Sequence, residues 1–165
     1  MKNATGQRVK SAQSRSKSSI FLGLIALLVT ASALVGFLGI GDPAPQSVTA
    51  TAGKVTIAVA ALNDGQAHFF SYNGQGGKIP FFVIKGQDGT IRAAFDACDV
   101  CYKEKKGYKQ QGEQMICKNC NQGFPVAKIG TVSGGCNPSP LKFTLTGTSL
   151  EVAVSDLESG ARYFR

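Results

Sequence analysis

Two short cysteine motifs constrain this chain more than any other feature of its sequence. The cysteines form two C-x-x-C pairs separated by fifteen residues, followed by a single cysteine: Cys98 and Cys101, Cys117 and Cys120, and Cys136. Two cysteines three positions apart can chelate one ion from a single tight turn, and a second such turn completes a tetrahedron of thiolates. We therefore expect the two pairs to bind one metal centre, with Cys136 as a fifth ligand, a redox-active neighbour or a structural thiol.

Three chemistries are compatible with this pattern. A four-thiolate site can hold an iron–sulfur cluster, zinc or monovalent copper. A disulfide framework is common in exported proteins, but five cysteines would leave one thiol unpaired. A thiol–disulfide catalyst also uses C-x-x-C, yet that motif normally opens a helix and no helical pattern follows Cys98. The metal site is the interpretation that the spacing favours.

The N-terminal part of the chain has a different composition from the rest. Five of the eighteen basic residues lie within residues 1–17, and residues 18–41 carry no charge. At about 1.5 Å per residue this segment can cross a hydrocarbon core of about 30 Å, and it exceeds the apolar region of a cleaved signal peptide. We expect a cytoplasmic basic tail over 1–17 and a transmembrane anchor over 18–41, embedded in the lipid bilayer.

The basic tail also predicts the orientation, because positive charges before a span stay in the cytoplasm. Residues 42–54 begin with prolines and are expected to form a linker. Residues 55–165 are then an exported, cysteine-rich β domain on the outer side of the inner (plasma) membrane. The protein is predicted to be single-pass.

Short runs with alternating apolar residues, separated by turn residues, predict that the exported part is mainly β. A hairpin is expected around Asp88-Gly89, since Asp-Gly supplies the positive φ values of such turns. Residues 102–114 are expected to be a solvent-exposed excursion. The expected strands are 55–62, 67–72, 79–84, 90–95, 115–117, 141–145 and 149–154. We predict a small antiparallel sandwich or barrel-like domain with cysteine-bearing loops, preceded by one transmembrane helix.

Other residues near the cysteines are assigned structural roles. Phe124, Val126 and Ile129 are expected to pack beneath the site. Met115 and His68 carry possible metal-ligating atoms, but core packing for Met115 and a structural or surface role for His68 fit their strands better.

Composition argues against two broad classes of function. The net charge of +8 comes largely from the tail, and the rest of the chain has thirteen basic against ten acidic residues. Without a basic stripe that contains aromatic residues, we expect no nucleic-acid binding. The sequence contains no catalytic triad, carboxylate pair or phosphate loop pattern, so an electron-transfer or metal-binding protein is favoured over an enzyme.

Three segments together resemble a known family. Residues 95–102 read Phe-Asp-Ala-Cys-Asp-Val-Cys-Tyr, residues 115–120 read Met-Ile-Cys-Lys-Asn-Cys, and residues 134–138 read Gly-Gly-Cys-Asn-Pro. Over about 55–164 the chain is similar to the FtrD-like membrane iron–sulfur-containing proteins associated with bacterial iron uptake. The resemblance implies a membrane-tethered, cysteine-ligated electron carrier, with an iron permease and a periplasmic cupredoxin as partners.

A more distant similarity is to Rieske domains. There too a hairpin leads into the first ligand pair, a second pair lies on another loop, and a proline loop covers the cluster. Rieske ligation needs two histidines, whereas this chain has only His68, which is distant in sequence from both cysteine pairs. The similarity therefore concerns the architecture alone.

The route of export bears on the identity of the metal. Clusters assembled in the cytoplasm must cross the membrane inside a folded protein, usually behind a twin-arginine signal, and the N-terminal basic residues here are dispersed. A domain that meets its metal outside would favour copper(I) or zinc. We expect an iron–sulfur-type electron carrier, and keep a non-redox copper or zinc module and a disulfide-stapled interaction domain as alternatives.

Overall fold

The computed structural model describes residues 44–165. Ten strands, one α-helix and four short 3-10 helices make up this region, which is mainly β. The strands are β1 Gln46–Val48, β2 Lys54–Ala58, β3 His68–Gly74, β4 Gly77–Lys85, β5 Ile91–Phe95, β6 Tyr108–Gln111, β7 Gln114–Cys117, β8 Gly123–Pro125, β9 Thr144–Thr146 and β10 Ser149–Ala153. Helix α1 is Val154–Ser159, and the 3-10 helices are Val59–Leu62, Tyr102–Glu104, Val126–Lys128 and Ala161–Tyr163.

The strands form three sheets. The first has the order β1-β3-β4-β5, the second β2-β10-β9 and the third β6-β7-β8. Strand β1 pairs with β3 in parallel, and the other strand pairs are antiparallel. The region predicted as a linker, 42–54, therefore contributes strand β1 to the first sheet.

Strand β4 separates two apolar clusters. Phe81 and Val83 point to the first cluster, and Phe82 and Ile84 point to the second. Successive side chains of a strand face opposite sides, so an unbroken apolar run is what a strand buried on both faces requires. All four residues are at most 1% exposed.

The two clusters have different contents. The first lies between the first two sheets and the C-terminal helices, and includes Leu150, Leu157 and Tyr163. The second includes Cys98 and Cys117 among its buried residues. The cysteine-bearing turns are thus set against a packed core instead of lying on free loops.

The predicted β4–β5 hairpin is confirmed. Gly89 has a φ of +74°, and Gly86 accepts its backbone N–H. Across the turn Arg92 donates to the Asp88 carboxylate at 2.6 Å, and this bond lowers the pKa of Asp88. The hairpin delivers strand β5 directly to the first cysteine turn.

Two strand predictions and one predicted exposed segment need correction. The strand expected over 55–62 ends at Ala58, and the 3-10 helix Val59–Leu62 follows. The strand expected over 141–145 begins only at Thr144, because Leu141 donates its N–H to the Ala93 carbonyl at the edge of β5. Leu145, in strand β9, is 52% exposed.

The third correction concerns the segment 102–114. It was expected to be a solvent-exposed excursion, but Tyr108–Gln111 forms strand β6 and Tyr108 is 2% exposed. Its aromatic ring packs in the second cluster between Phe82 and Phe124. Residues 103–106, 109 and 111–114 are exposed, as predicted, whereas Tyr108 is buried.

The predicted anchor, residues 18–41, and the basic tail lie outside the described residues. Within 44–165 no helix is long and apolar enough to cross a membrane.

Candidate metal centre

The first cysteine turn is fixed by its own backbone and by the C-terminus. The Cys101 N–H donates to the Cys98 sulfur at 3.1 Å, which closes the C-x-x-C turn around one thiol. Asp99 accepts a hydrogen bond from the Tyr163 hydroxyl at 2.7 Å. Val100, at the tip of the turn, is 61% exposed, whereas Cys98 is buried.

The second turn continues directly from strand β7. Cys117 donates its N–H to the Gln122 carbonyl and accepts the N–H of Asn121, both at 2.9 Å. Asn121 has a φ of +59°, a conformation that asparagine tolerates better than most residues. The turn therefore buries Cys117 and leaves Cys120 exposed.

The loop that carries Cys136 is held against the first turn. The Tyr108 hydroxyl donates to the Cys136 carbonyl at 2.6 Å. Ser139 donates its N–H to the Ala97 carbonyl at 2.9 Å and accepts the N–H of Phe95 at 2.8 Å. These bonds extend the edge of β5 and place the third loop beside the first cysteine pair.

The five sulfurs converge, and Cys101 lies at their centre. One group contains Cys98, Cys101 and Cys136, and a second contains Cys101, Cys117 and Cys120; within each group the sulfurs lie within 4.8 Å of one another. Cys101 and Cys136 are 3.7 Å apart. The pattern of two pairs predicted one four-thiolate set, whereas the structure places Cys101 in both groups and brings Cys136 into the first.

The donor set fits a thiophilic metal centre. A tetrahedral metal with metal–sulfur bonds of about 2.3 Å needs sulfurs about 3.8 Å apart, which is close to the separation of Cys101 and Cys136. All five cysteines are free thiols. Soft thiolate ligands select zinc, copper(I) or iron–sulfur clusters, so the five cysteines can hold a centre of this kind.

Burial controls the ionisation of these thiols. Desolvation raises the pKa of Cys117 to about 11 and the pKa of Cys136 to about 12. At Cys120 a hydrogen bond from the Gln122 backbone lowers the pKa. Burial therefore favours the neutral thiol at Cys117 and Cys136 unless a cation balances the thiolate charge, and metal binding should release protons.

Tyr163 connects two of the three loops. Besides donating to Asp99, its hydroxyl lies 3.0 Å from the Ser139 hydroxyl and accepts a hydrogen bond from Arg162 at 2.7 Å. The Tyr163 ring packs edge-on against Tyr102, which follows Cys101. The C-terminal 3-10 helix thus supports both the first cysteine turn and the Cys136 loop.

Sequence reasoning missed the two tyrosines that support the site. Tyr108 lies in a segment that looked exposed, and Tyr163 lies 27 residues beyond Cys136 near the end of the chain. Each contact joins residues distant in sequence, so local patterns carry no signal for it. Asp96 accepts the Tyr108 N–H at 2.7 Å and so helps to fix the same strand.

Two residues considered as ligands belong elsewhere. His68 lies 2.9 Å from the Asp64 carboxylate and falls in neither cysteine group. Met115 is fully buried in the second apolar cluster, in agreement with the predicted core role. Phe124, Val126 and Ile129 occupy the same cluster, beneath the cysteines as expected.

A cavity of about 200 Å³ opens onto the sulfurs. Cys98, Cys101 and Cys117 line it on one side, and Lys78 and Lys105 are among its other lining residues. The aromatic and proline residues that line the cavity are Pro80, Tyr102, Tyr108 and Phe164. The cavity therefore gives access to three of the five cysteines, and Cys120 is exposed outside it.

A mainly β domain with few helices and five converging thiols defines a cysteine-rich protein with side chains that could hold a metal. The chain belongs to the FtrD-like family, described as membrane iron-sulfur containing protein FtrD-like, whose family model matches residues 62–164. The match includes all five cysteines. No curated protein and no solved structure matches the chain.

Proposed function

We propose that this protein is an electron carrier with a cysteine-ligated, iron–sulfur-type centre, and that it serves a bacterial iron-uptake system. The observation that carries the proposal is the convergence of all five cysteine sulfurs around Cys101. The family description supplies the iron–sulfur content. In this proposal the five cysteines hold the centre, which would supply reversible one-electron chemistry when bound.

The surroundings of the sulfurs suit electron transfer. Cys98 and Cys117 are buried against a packed core, so the ligand positions are held rigidly and little reorganisation accompanies a change of charge. Cys120 is exposed, which brings one ligand to the surface where a partner can approach. A buried centre with one exposed ligand is suited to exchanging electrons with another protein without exchanging the metal.

The remaining parts of the proposal concern location and partners. The uncharged segment 18–41 would anchor the chain in the inner membrane, with the tail in the cytoplasm and an antiparallel sandwich-like domain outside. An iron permease and a periplasmic cupredoxin are the partners that the family resemblance implies. The electron would pass between the cysteine centre and such a partner.

A second candidate function is binding or delivery of copper or zinc without redox chemistry. The spacing of 3.7 Å between Cys101 and Cys136 matches the edge of a mononuclear tetrahedral thiolate site. The open cavity beside three of the cysteines also offers a route for metal exchange.

Metal and acid-labile sulfide analysis of the full chain, with visible spectra and voltammetry, tests these functions. Iron with sulfide and a reversible redox step is the expected result. Copper or zinc without sulfide and without a redox step would support the delivery module instead. A metal-free protein with oxidised cysteines would refute both and leave a disulfide-stapled domain.

Two variants make the test specific. Cys117→Ser should abolish the loading, because it removes a buried ligand that the core holds in place. His68→Ala is the matched control, since it removes a potential ligand that lies outside both cysteine groups. Equal loading of the two variants would contradict the assignment of the site.

A further inference from the structure

The surface around the cavity carries uncompensated positive charge. Lys78 and Lys105 line the opening together with three cysteines, and Lys106 donates to the Asn119 side chain within the second cysteine turn at 3.0 Å. All three lysines are exposed. We call Lys78, Lys105 and Lys106 the lysine rim.

Two nearby carboxylates have partners outside the rim: Asp96 lines the cavity and bonds to Tyr108, and Asp99 lies 3.7 Å from the Arg162 guanidinium. Asp96 accepts the Tyr108 N–H at 2.7 Å, and Asp99 accepts the Tyr163 hydroxyl at 2.7 Å. Within residues 44–165 the ammonium groups of Lys78 and Lys105 have no hydrogen bond or ion pair. Two lysines against the single Asp96 carboxylate give the lining of the cavity a net positive charge.

From this arrangement we infer that the lysine rim is the docking surface for an acidic protein that exchanges electrons with the cysteine centre. The inference rests on the proposed function and names the chemistry of the partner. An acidic surface complements the rim, and lysines at the edge of an interface steer association and raise on-rates by about 10- to 1000-fold. Val100, exposed at the tip of the first cysteine turn, offers the partner an apolar contact next to Cys101 in the chain.

An acidic protein fits this surface better than a lipid headgroup layer. The rim surrounds an opening that leads to Cys98, Cys101 and Cys117, so whatever covers it lies next to the sulfurs. A headgroup layer there would block the opening without accepting or supplying an electron. A protein partner carrying its own redox group would bring the two centres together.

The test compares two double charge reversals in the metal-loaded full chain, held in nanodiscs of zwitterionic lipid. Lys78→Glu with Lys105→Glu alters the rim. Lys128→Glu with Lys142→Glu changes the same charge at exposed positions that do not line the cavity. The probe is a fluorescein-labelled peptide of twenty glutamates, and its dissociation constant is measured by anisotropy at low and physiological salt.

The rim variant should bind the peptide at least tenfold more weakly than the wild type at low salt, and the control variant less than threefold more weakly. Added salt should reduce this difference. Lys78→Gln with Lys105→Gln should give an intermediate loss. Equal losses in the rim and control variants would overturn the inference.

Two further measurements separate the alternatives. If the rim variant lost co-flotation with vesicles containing phosphatidylglycerol but bound the peptide normally, the surface would be a membrane contact and the inference would be wrong. Oxidation of the reduced centre by hexacyanoferrate(III), which takes one electron and becomes hexacyanoferrate(II), should slow in the rim variant. A centre that has no redox step would refute the proposed function, whereas peptide binding would still report on the rim.

Discussion

Replacing Cys101 with serine should weaken metal binding much more than replacing the exposed Cys120 does. The Cys101 sulfur belongs to both sulfur groups, so Cys101→Ser leaves each group with two thiols. Cys120→Ser, by contrast, leaves the group of Cys98, Cys101 and Cys136 complete. Cys120 is also exposed, so water can reach the vacated ligand position.

The size of the effect follows from the energetics of thiolate sites. Structural zinc binding contributes about 10–16 kcal/mol, so each of four ligands accounts for about 3 kcal/mol, or more than 100-fold in affinity. Cys101→Ser should incur this loss in both groups, and Cys120→Ser in one. We therefore expect a clear ranking, with Cys101→Ser well below Cys120→Ser and the latter below the wild type.

Cobalt(II) titration provides the assay, because the sulfur-to-cobalt charge-transfer band counts thiolate ligands directly. Competition with a chromophoric chelator gives the affinity of each variant. Cys101→Ala serves as a second variant, and thermal unfolding without metal checks that the fold persists. If Cys101→Ser bound cobalt as tightly as Cys120→Ser, Cys101 would not be the shared ligand.

Three smaller predictions test the support of the site and of the hairpin. Tyr108→Phe removes the hydrogen bond to the Cys136 carbonyl and should cost about 1–2 kcal/mol of stability and about tenfold in metal affinity, measured by denaturant unfolding and cobalt competition. Gly107→Ala should lower the melting temperature, since Gly107 has a φ of +67° and an added Cβ would overlap the Asp96 carboxylate. Asp88→Asn should lower the melting temperature at pH 7, and by a smaller amount at pH 2. The pKa of Asp88 is depressed by the guanidinium four residues later, so its contribution is present above its unfolded value of about 4 and is lost as the pH falls.

Each of these predictions has a control that separates it from a general loss of stability. Tyr72→Phe alters a tyrosine outside the second cluster and should leave cobalt binding unchanged. Gly112→Ala places a Cβ in open space at a similar positive φ of +56°, so it should cost less than Gly107→Ala. For the hairpin, Asp156→Asn changes a carboxyl for which no ion pair is found within residues 44–165, and should lower the melting temperature at pH 7 less than Asp88→Asn does.

Local sequence patterns account for much of the fold. Gly89 marks the β4–β5 turn, because its φ of +74° is a conformation that favours glycine; Asp88 has no positive φ. The unbroken apolar run of β4 is the sequence pattern expected of a strand that is buried on both faces, and β4 is buried in this way. Each C-x-x-C pair also predicts a thiolate site from sequence alone, because its short spacing places two sulfurs on one turn.

The grouping of the sulfurs was decided only by the tertiary structure. Sequence spacing suggested one set of four, but Cys136 reaches Cys101 across 35 positions and makes Cys101 common to two groups. Strand β6, the support from Tyr108 and the role of Tyr163 also depend on contacts between distant segments. Spacing along the chain fixes distances only within a turn, whereas the packing of β4 and β5 between two clusters sets which turns meet.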